Sequence, residues 1–175
     1  MGMIYLIRHF KVKDTSRSWM NSAEFDQWVN DYDEFDLDDR PLLLPPVDQL
    51  YVSSYQRAIK TAQSLSAPYT LSHLLIEVDP HSFIKTSLPL PKWLWLVMAR
   101  IQWYFNSSHG ENRIDTMRRI EEFFTSCDLT QNIAIISHGF VMKIMIKMLK
   151  KRGFVGDKAL IPSNGKIYCF HTIAK

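Results

Sequence analysis

The sequence predicts an α/β fold, a three-layer α/β/α sandwich built on a mainly parallel central sheet. Short runs of strand-forming residues alternate with amphipathic helical patterns along the 175 residues, as is typical of parallel sheets covered by helices. One run, residues 133–136, is nearly purely apolar, as expected for a strand buried on both faces. A hydrophobic content of 46% with 22% charged residues indicates a chain that buries a core. The length suits a single domain over residues 1–175.

The first third of the chain contains one predicted strand and one predicted helix. Residues 3–7 are strong strand formers. Residues 21–35 combine acidic residues with aromatic residues spaced three or four positions apart, which predicts a helix capped by Asn21 or Ser22. Its inward face is expected to carry three aromatic residues, Phe25, Trp28 and Tyr32. The acidic residues of this helix are expected to face solvent.

The middle third is predicted to contain strands at residues 50–53 and 74–76, with a helix at residues 54–66 between them. Residues 92–105 are apolar nearly all round, so this helix is expected either to be buried or to cover another part of the molecule. The segment around residues 80–110 is therefore predicted to be a lid or cap above the strand ends, carried by Trp93, Trp95, Trp103 and Tyr104. Ordinary core packing and a homodimer contact are the alternatives.

The last third carries the most regular patterns. Apolar residues recur at helical spacing between residues 114 and 124, and residues 132–137 form the clearest strand. After Gly139, an apolar stripe opposes a row of lysines, which predicts an amphipathic helix packed against the sheet. Residues 166–172 form the last predicted strand.

Charge is distributed unevenly along the chain. Residues 24–39 contain eight acids and no Lys or Arg, whereas the remainder carries 21 basic against 10 acidic residues. A basic body suits nucleic acid, an anionic membrane or a phosphorylated small molecule. The spaced lysines after Gly139 are more simply explained as a solvated helix face. Neither nucleic acid nor a membrane is therefore an expected partner.

Two further features narrow the class of protein. No apolar run reaches the roughly 18 residues that would span a bilayer. The two cysteines, Cys127 and Cys169, lack the spacing of a metal-binding motif, and so small a cysteine content suits a reducing cytoplasm. The sequence therefore predicts a cytoplasmic protein without a disulfide framework or a zinc site.

Two predicted strands end in histidine. His9 follows the first strand and Arg8, and His138 follows the strand at residues 132–137. The carboxyl ends of parallel strands meet at one edge, where helix N-termini favour anions, so both imidazoles are expected at one site. Arg57 lies where another strand turns into a helix, and guanidinium groups suit tetrahedral oxyanions. A lone histidine or arginine is more often structural, but these four residues together favour phosphate binding.

Several motifs together resemble the histidine phosphatase superfamily, also called the phosphoglycerate mutase-like family. In the family's order and approximate spacing they are Arg8-His9 after a strand, Ser53-Ser54 with Arg57 and Thr61-Ala62, Glu77 after an apolar run, and Ser137-His138-Gly139. The resemblance covers nearly the whole chain and implies the phosphoglycerate mutase-like fold. It implies that His9 attacks phosphorus and forms a phosphohistidine. It also implies that Arg8, Arg57 and His138 bind the phosphoryl oxygens.

The resemblance also indicates a proton donor. His138 is followed by Gly139 rather than by aspartate, which is similar to the branch of the family that uses a glutamate, and Glu77 occupies that position. Asp79 and His81 lie close by in sequence and are reserve candidates. The leaving group is expected to meet Lys11, Lys13, the helix at residues 92–105 and the loop after Glu77, which contains His81.

The chain departs from the family pattern in two places. The usual glycine after the nucleophile is replaced by Phe10, and the following Ser or Thr and Asn are replaced by residues 11–14, Lys-Val-Lys-Asp. The sequence therefore does not predict which residues of this loop contact phosphate. The usual helix before Ser53 is also missing, because the proline-rich residues 41–46 leave little room for one.

The expected activity is hydrolysis of a phosphomonoester, either a small phosphorylated metabolite or a phosphoprotein, without a metal or other cofactor. Fixed cationic side chains stabilise the transferring phosphoryl group, and covalent transfer to histidine divides one displacement into two easier ones. A phosphoglycerate-type phosphomutase and a non-catalytic phosphate-binding module are the alternatives. A metal hydrolase using His9, His138 and Glu77 is a third, which the neighbouring arginines disfavour.

Overall fold

The fold is described from a computed structural model that covers residues 2–105, 110–158 and 160–172. Six strands form one sheet: β1 (Met3–Arg8), β2 (Gln49–Ser53), β3 (Thr70–Ser72), β4 (Ile133–Ser137), β5 (Phe154–Gly156) and β6 (Ile167–Thr172). Their order in the sheet is β3-β2-β4-β1-β6-β5. The first four of these are parallel, while β6 runs antiparallel to β1 and β5 antiparallel to β6. The predicted, mainly parallel sheet is confirmed.

Helices cover both faces of this sheet. They are α1 (Ser22–Asp31), α2 (Gln56–Gln63), α3 (Lys92–Tyr104), α4 (Arg113–Ser126) and α5 (Gly139–Lys151). Along β4, Ile133 and Ile135 face the cluster formed with α4 and α5, whereas Ala134 and Ile136 face the cluster formed with α2. This alternation of side chains between the two faces makes the three layers. The predicted α/β/α sandwich is therefore confirmed.

The helices α1 and α3 lie beside the sandwich and pack on each other. Met20, Phe25 and Trp95 form their shared core, in which the rings of Phe25 and Trp95 stack with centroids 5.4 Å apart. A short antiparallel ribbon, Trp19–Met20 with Leu90–Pro91, joins the two segments. A second ribbon pairs Lys11–Val12 with Leu37–Asp38.

The prediction for α1 is confirmed at its N-terminus. Asn21 is the N-cap: its side chain accepts from the Glu24 amide at 3.0 Å, and the Glu24 carboxylate accepts from the Asn21 amide at 2.8 Å. These reciprocal bonds form a capping box. The helix ends at Asp31, before the predicted residue 35. Phe25 is fully buried, while Trp28 and Tyr32 are only partly buried.

The predicted strand at residues 74–76 is wrong. His73–Leu75 is a turn of 3₁₀ helix, and the strand is Thr70–Ser72. The apolar residues Leu74 and Leu75 pack into the core instead, whereas the true strand lies at the sheet edge and is largely exposed. An edge strand need not be apolar, which is why its pattern is weak. None of the helices in the described part of the chain is long and apolar enough to cross a membrane.

Candidate active site

The carboxyl ends of β1 and β4 bring the two predicted histidines together. Arg8 is the register partner of Ser137, and the His9 amide extends the ladder by donating to the Ser137 carbonyl at 3.1 Å. The imidazole rings of His9 and His138 follow, with their centroids 5.2 Å apart. The expectation that both histidines share one site at this edge therefore agrees with their placement.

Of the two ring nitrogens of His9, only Nδ1 has a hydrogen-bond partner among the described residues. Its Nδ1 lies 2.6 Å from the Phe10 carbonyl oxygen. A carbonyl oxygen only accepts, so Nδ1 carries the proton and Nε2 carries the lone pair. Burial, followed by the positive charge of Arg57, lowers the pKa of His9 to about 3. The ring is therefore neutral near pH 7, which a nucleophile requires.

The ring nitrogens of His138 both contact protein groups. Nδ1 accepts a hydrogen bond from Arg57 Nε at 3.1 Å, and Nε2 lies 2.7 Å from the Ser53 hydroxyl. Because Arg57 can only donate, Nε2 carries the ring proton and donates to Ser53. Complete burial, together with the charge of Arg57, holds the pKa of His138 well below its usual range. His138 is thus a neutral residue that fixes Arg57.

Arg57 lies in the first turn of α2 and is held from several directions. Besides its bond to His138, its Nη1 donates to Asp33 Oδ1 at 2.9 Å. Its guanidinium carbon lies 4.8 Å from the ring centroid of Tyr55 and 5.4 Å from that of Tyr32. Aromatic faces attract a cation at these distances. The guanidinium group is therefore fixed without loss of its charge.

Arg8 is held less completely. Its Nη1 donates to the Pro162 carbonyl at 2.8 Å, while its Nε is buried and has no hydrogen-bond partner among the described residues. The guanidinium group packs on Gly139, where a Cβ atom would lie only 2.9 Å from its carbon. A buried donor without a partner is costly in a folded protein, so the guanidinium group of Arg8 is less well satisfied than that of Arg57.

Carboxylates close the other side of the site. Glu77 accepts from its neighbour Val78 at 3.0 Å and from the Phe140 amide, in the first turn of α5, at 3.2 Å. Asp79 accepts a hydrogen bond from the Tyr55 hydroxyl. Arg100, on α3, donates from Nη1 to the Val78 carbonyl at 2.9 Å. Glu77 is thus fixed at the N-terminus of α5, and Asp79 is engaged by a tyrosine.

Most of these side chains line one cavity of about 190 Å³, but His138, predicted to bind the phosphoryl oxygens, is fully buried and is not among the lining residues. Its polar lining consists of Arg8, His9, Arg57, Glu77, Asp79 and Arg100, and its remaining wall consists of Trp28, Val29, Tyr32, Pro80 and Leu96. Charged groups of both signs therefore face an aromatic and aliphatic wall contributed mainly by α1 and α3. Such a cavity fits an anionic group beside a less polar one.

Phe10 does not enter this cavity. Its side chain is buried with Val12 and Leu37, and Gly165, at a φ of +63°, allows the ring to approach. Its backbone amide donates to the Thr61 hydroxyl at 3.0 Å while its carbonyl orients His9. The bulky side chain of Phe10 is thus packed away from the cavity that His9 lines.

The predicted substrate contacts lie outside this cavity. Lys11 is exposed and lines a second cavity with Phe10 and Arg40, and Lys13 is exposed. His81 is exposed and lies beside Gly110. The structure therefore does not bring these three side chains together with His9.

The predicted lid contributes to the cavity through other residues than expected. Leu96 and Arg100 of α3 line it, whereas Trp95 is fully buried against α1 and Trp93 is 63% exposed. Trp103 donates to the Thr116 hydroxyl at 2.8 Å. Residues 106–109 of the predicted lid lie outside the described residues. Whether α3 moves as a lid stays a prediction.

Sequence reasoning missed three kinds of contact with the site. Arg100 stands among the apolar residues of α3, and a lone arginine in such a helix is a signal that could have identified it as a site residue. Trp28 and Tyr32 were assigned to an inward face, but their neighbours could not be known. Asp33 was one of eight acids between residues 24 and 39, and nothing in that pattern distinguishes it.

Within the described residues, the candidate site lacks a set of metal ligands. Within residues 2–105, 110–158 and 160–172, no group of three or more His, Cys, Asp or Glu side chains is placed to hold a metal ion. Both nitrogens of His138 are engaged by Arg57 and Ser53. The residues named for a metal hydrolase therefore do not form a ligand set.

Solved structures of known proteins share this fold. The alpha-ribazole phosphatase from Shigella flexneri has 20% sequence identity and a TM-score of 0.58, with 95% of this chain and 89% of that chain covered. The phosphoglycerate mutase from Thermus thermophilus has 17% identity and a TM-score of 0.57, with 95% and 91% covered. The phosphoglycerate mutase-like fold is thus confirmed.

A family model gives the assignment at the sequence level. The model described as the histidine phosphatase superfamily (branch 1) matches residues 42–173, a segment that contains Arg57, Glu77 and His138. Arg8 and His9 precede the matched segment, but β1 places them beside it. No curated protein matches the sequence. Since the family model spans well over half of the chain, the protein belongs to the histidine phosphatase superfamily, branch 1.

Proposed function

We propose that this protein is a metal-independent phosphomonoester hydrolase that acts through a phosphohistidine on His9. The observation that carries the proposal is the neutral His9 ring in the cavity, with Nδ1 donating to Phe10 and Nε2 left with its lone pair. Arg8 and Arg57 line the same cavity and supply fixed positive charge for the phosphoryl oxygens.

The reaction would proceed in two displacements. His9 Nε2 attacks phosphorus, the phosphorus–oxygen bond of the ester breaks, and the leaving oxygen takes a proton from Glu77. Water then attacks phosphorus, the bond between phosphorus and His9 Nε2 breaks, Glu77 takes a proton from that water, and inorganic phosphate leaves. Glu77 is favoured over Asp79 because Glu77 is partly buried in the site whereas Asp79 is exposed. His81 is disfavoured because it does not line the cavity.

The apolar wall supports a phosphatase that accepts a small metabolite. Trp28, Tyr32 and Leu96 offer surface for a weakly charged leaving group. A phosphomutase is the second candidate, because Arg100 adds a third guanidinium group that could hold a second anionic group. The similarity to an alpha-ribazole phosphatase and to a phosphoglycerate mutase is consistent with either activity.

A rapid-quench experiment tests the proposal. With a ³²P-labelled phosphomonoester, acid-labile and base-stable label is expected on the wild-type chain and not on His9→Ala, while the exposed His171→Ala variant serves as control. Vanadate should inhibit because it mimics the trigonal-bipyramidal transition state, and EDTA should not. Normal turnover in His9→Ala would refute the assignment. Phosphate exchange between monophosphoglycerates without phosphate release would favour the mutase.

A further inference from the structure

In the acidic segment, residues 24–39, Asp33 is the acid that contacts Arg57. Its Oδ1 accepts from Arg57 Nη1 at 2.9 Å and from the Arg57 amide at 3.2 Å. Its Oδ2 accepts from the Gln56 amide at 2.7 Å. The two side chains are 6% exposed for Arg57 and 23% exposed for Asp33, so the ion pair is largely shielded from water.

Asp33 does not line the cavity, whereas Arg57 does. The carboxylate holds Nη1 and His138 holds Nε of the same guanidinium group. The other terminal nitrogen, Nη2, makes no hydrogen bond to any described residue, so it is the donor left for a ligand. Asp33 is therefore placed to act on the reaction through the guanidinium group that it holds.

We propose that Asp33 is a positioning residue for the phosphoryl-binding guanidinium group of Arg57, so that the acidic segment is part of the active site. This inference rests on the proposed phosphatase function. Arginine carries several rotatable bonds, and holding it in one orientation costs entropy at each binding event. A carboxylate that fixes both the backbone and the side chain of Arg57 removes that cost before the substrate arrives.

The residue before Asp33 supports the same interpretation. Tyr32 places its ring 5.4 Å from the Arg57 guanidinium carbon and also lines the cavity. Lys60, on α2, donates to the carbonyl of Glu34 at 3.5 Å. Three consecutive residues after α1 thus contact α2, and two of them contact Arg57. The segment is docked at the point where Arg57 must be held.

A purely structural role makes a different prediction. Tyr55, the N-cap of α2, provides no side-chain capping bond, and Asp33 supplies acceptors for the first amides of this helix. If Asp33 acted only as a cap, its loss would lower stability by a similar amount whether or not Arg57 were present, and kcat/KM of the folded protein would not change.

The test is a double-mutant cycle between Asp33→Asn and Arg57→Ala on the full chain. With 4-nitrophenyl phosphate as substrate, Arg57→Ala should lower kcat/KM by about a hundredfold or more. Asp33→Asn should lower it on the order of tenfold to a hundredfold and weaken vanadate inhibition by a similar factor. In the Arg57→Ala background, Asp33→Asn should have less than about a twofold effect. Asp31→Asn, an exposed acid bonded to Gln27, is the matched control.

Several outcomes would overturn the inference. Near-normal kinetics of Asp33→Asn, or an equal loss in the Arg57→Ala background, would show that Asp33 does not act through Arg57. Tighter vanadate binding would show that Asp33 competes with the anion instead. If Asp33→Asn does not fold, Asp33→Glu is measured instead, because its longer side chain moves the carboxylate. Unchanged kcat/KM and unchanged vanadate affinity in Asp33→Glu would contradict a positioning role. A wild-type chain without turnover refutes the proposed function instead, and vanadate titration by calorimetry then decides the role of Asp33.

Discussion

Arg8 and Arg57 are held in different ways, and the difference decides how each responds to change. Arg57 is fixed by His138 and Asp33 through Nε and Nη1. Among the described residues, the guanidinium group of Arg8 makes one hydrogen bond, to Pro162, and it packs against Gly139. The position of Arg8 therefore depends on the absence of a side chain at residue 139.

Gly139→Ala is expected to lower kcat/KM by about tenfold or more. The added methyl group would lie 2.9 Å from the guanidinium carbon of Arg8, so the flexible side chain must move from its position. The thermal midpoint should change less than the kinetics, because the atoms that must move belong to the end of a flexible side chain and not to the backbone. Steady-state kinetics and thermal unfolding of the variant check both statements. In an Arg8→Ala background the same change should have little effect on kcat/KM, and an equal loss there would contradict the explanation.

Phe10 illustrates what the sequence could and could not predict at this scale. Comparison with the family pattern marks Phe10 as a departure. It could not show that the carbonyl of Phe10 orients His9, because any residue supplies a carbonyl. It also could not show that the ring joins Val12 and Leu37, which depends on the distant Gly165. Backbone contacts are independent of residue type and leave little signal in a single sequence.

At the scale of elements, helical periodicity predicted α1 and α3 but not their shared role. Helix α3 is apolar nearly all round, so its pattern gives no single face, and Trp95, expected in the lid, is fully buried. In α1, apolar spacing predicts the buried face, and Phe25 is buried there as expected. It does not identify the partner of that face. The two helices pack on each other, and the edge of this pair forms the wall of the cavity through Trp28 and Leu96. Only the tertiary structure shows which residues lie at that edge.

The wall can be tested through tryptophan fluorescence. Vanadate binding is expected to cause a saturable emission change that arises from Trp28, because this tryptophan lines the cavity. Trp28→Phe should abolish the change, whereas Trp93→Phe, at a residue 63% exposed, should retain it. Arg57→Ala should abolish it through loss of binding.

The same titration tests the lid prediction for α3. A response that persists in Trp28→Phe and disappears in Trp103→Phe would show that α3 moves when the anion binds. A response that varies with protein concentration would indicate self-association instead. A silent titration with binding confirmed by calorimetry would contradict both the wall contact and the lid.

At the scale of the whole molecule, alternation of strands and helices was enough to predict the sandwich and the meeting of His9 with His138. Parallel strands of similar length end at one edge, so this juxtaposition follows from topology. The contact between Asp33 and Arg57 depends instead on how a loop docks, and no periodicity records it. The acidic segment pairs with basic residues elsewhere, as Asp26 does with Lys85 at 2.8 Å. The negative charge of the acidic segment favours its docking on the basic remainder of the chain, but it does not determine which residues pair.

Two buried neutral histidines give the folded protein a characteristic response to acid. Burial and the charge of Arg57 lower the pKa of His9 to about 3 and hold the pKa of His138 well below its usual range. An unfolded histidine has a pKa near 6.5. Between these values the unfolded chain binds more protons than the folded one, so the free energy of unfolding decreases as pH falls. The stability is fully present above about pH 6.5 and is lost toward pH 3.

Urea unfolding between pH 8 and pH 4.5 should therefore show a free energy of unfolding that is nearly independent of these histidines above about pH 7 and falls below about pH 6.5. Well below about pH 6.5 each of the two histidines contributes a slope of up to about 1.4 kcal/mol per pH unit. The lowered pKa values of Asp14 and Asp26 add a slope of the same sign only below about pH 4, outside this window. His9→Gln, which keeps a neutral polar side chain, should remove one histidine's share of the slope. An unchanged slope in His9→Gln would mean that the His9 ring takes up its proton in the folded protein as readily as in the unfolded chain. That result would contradict the neutral ring on which the proposed role of His9 depends.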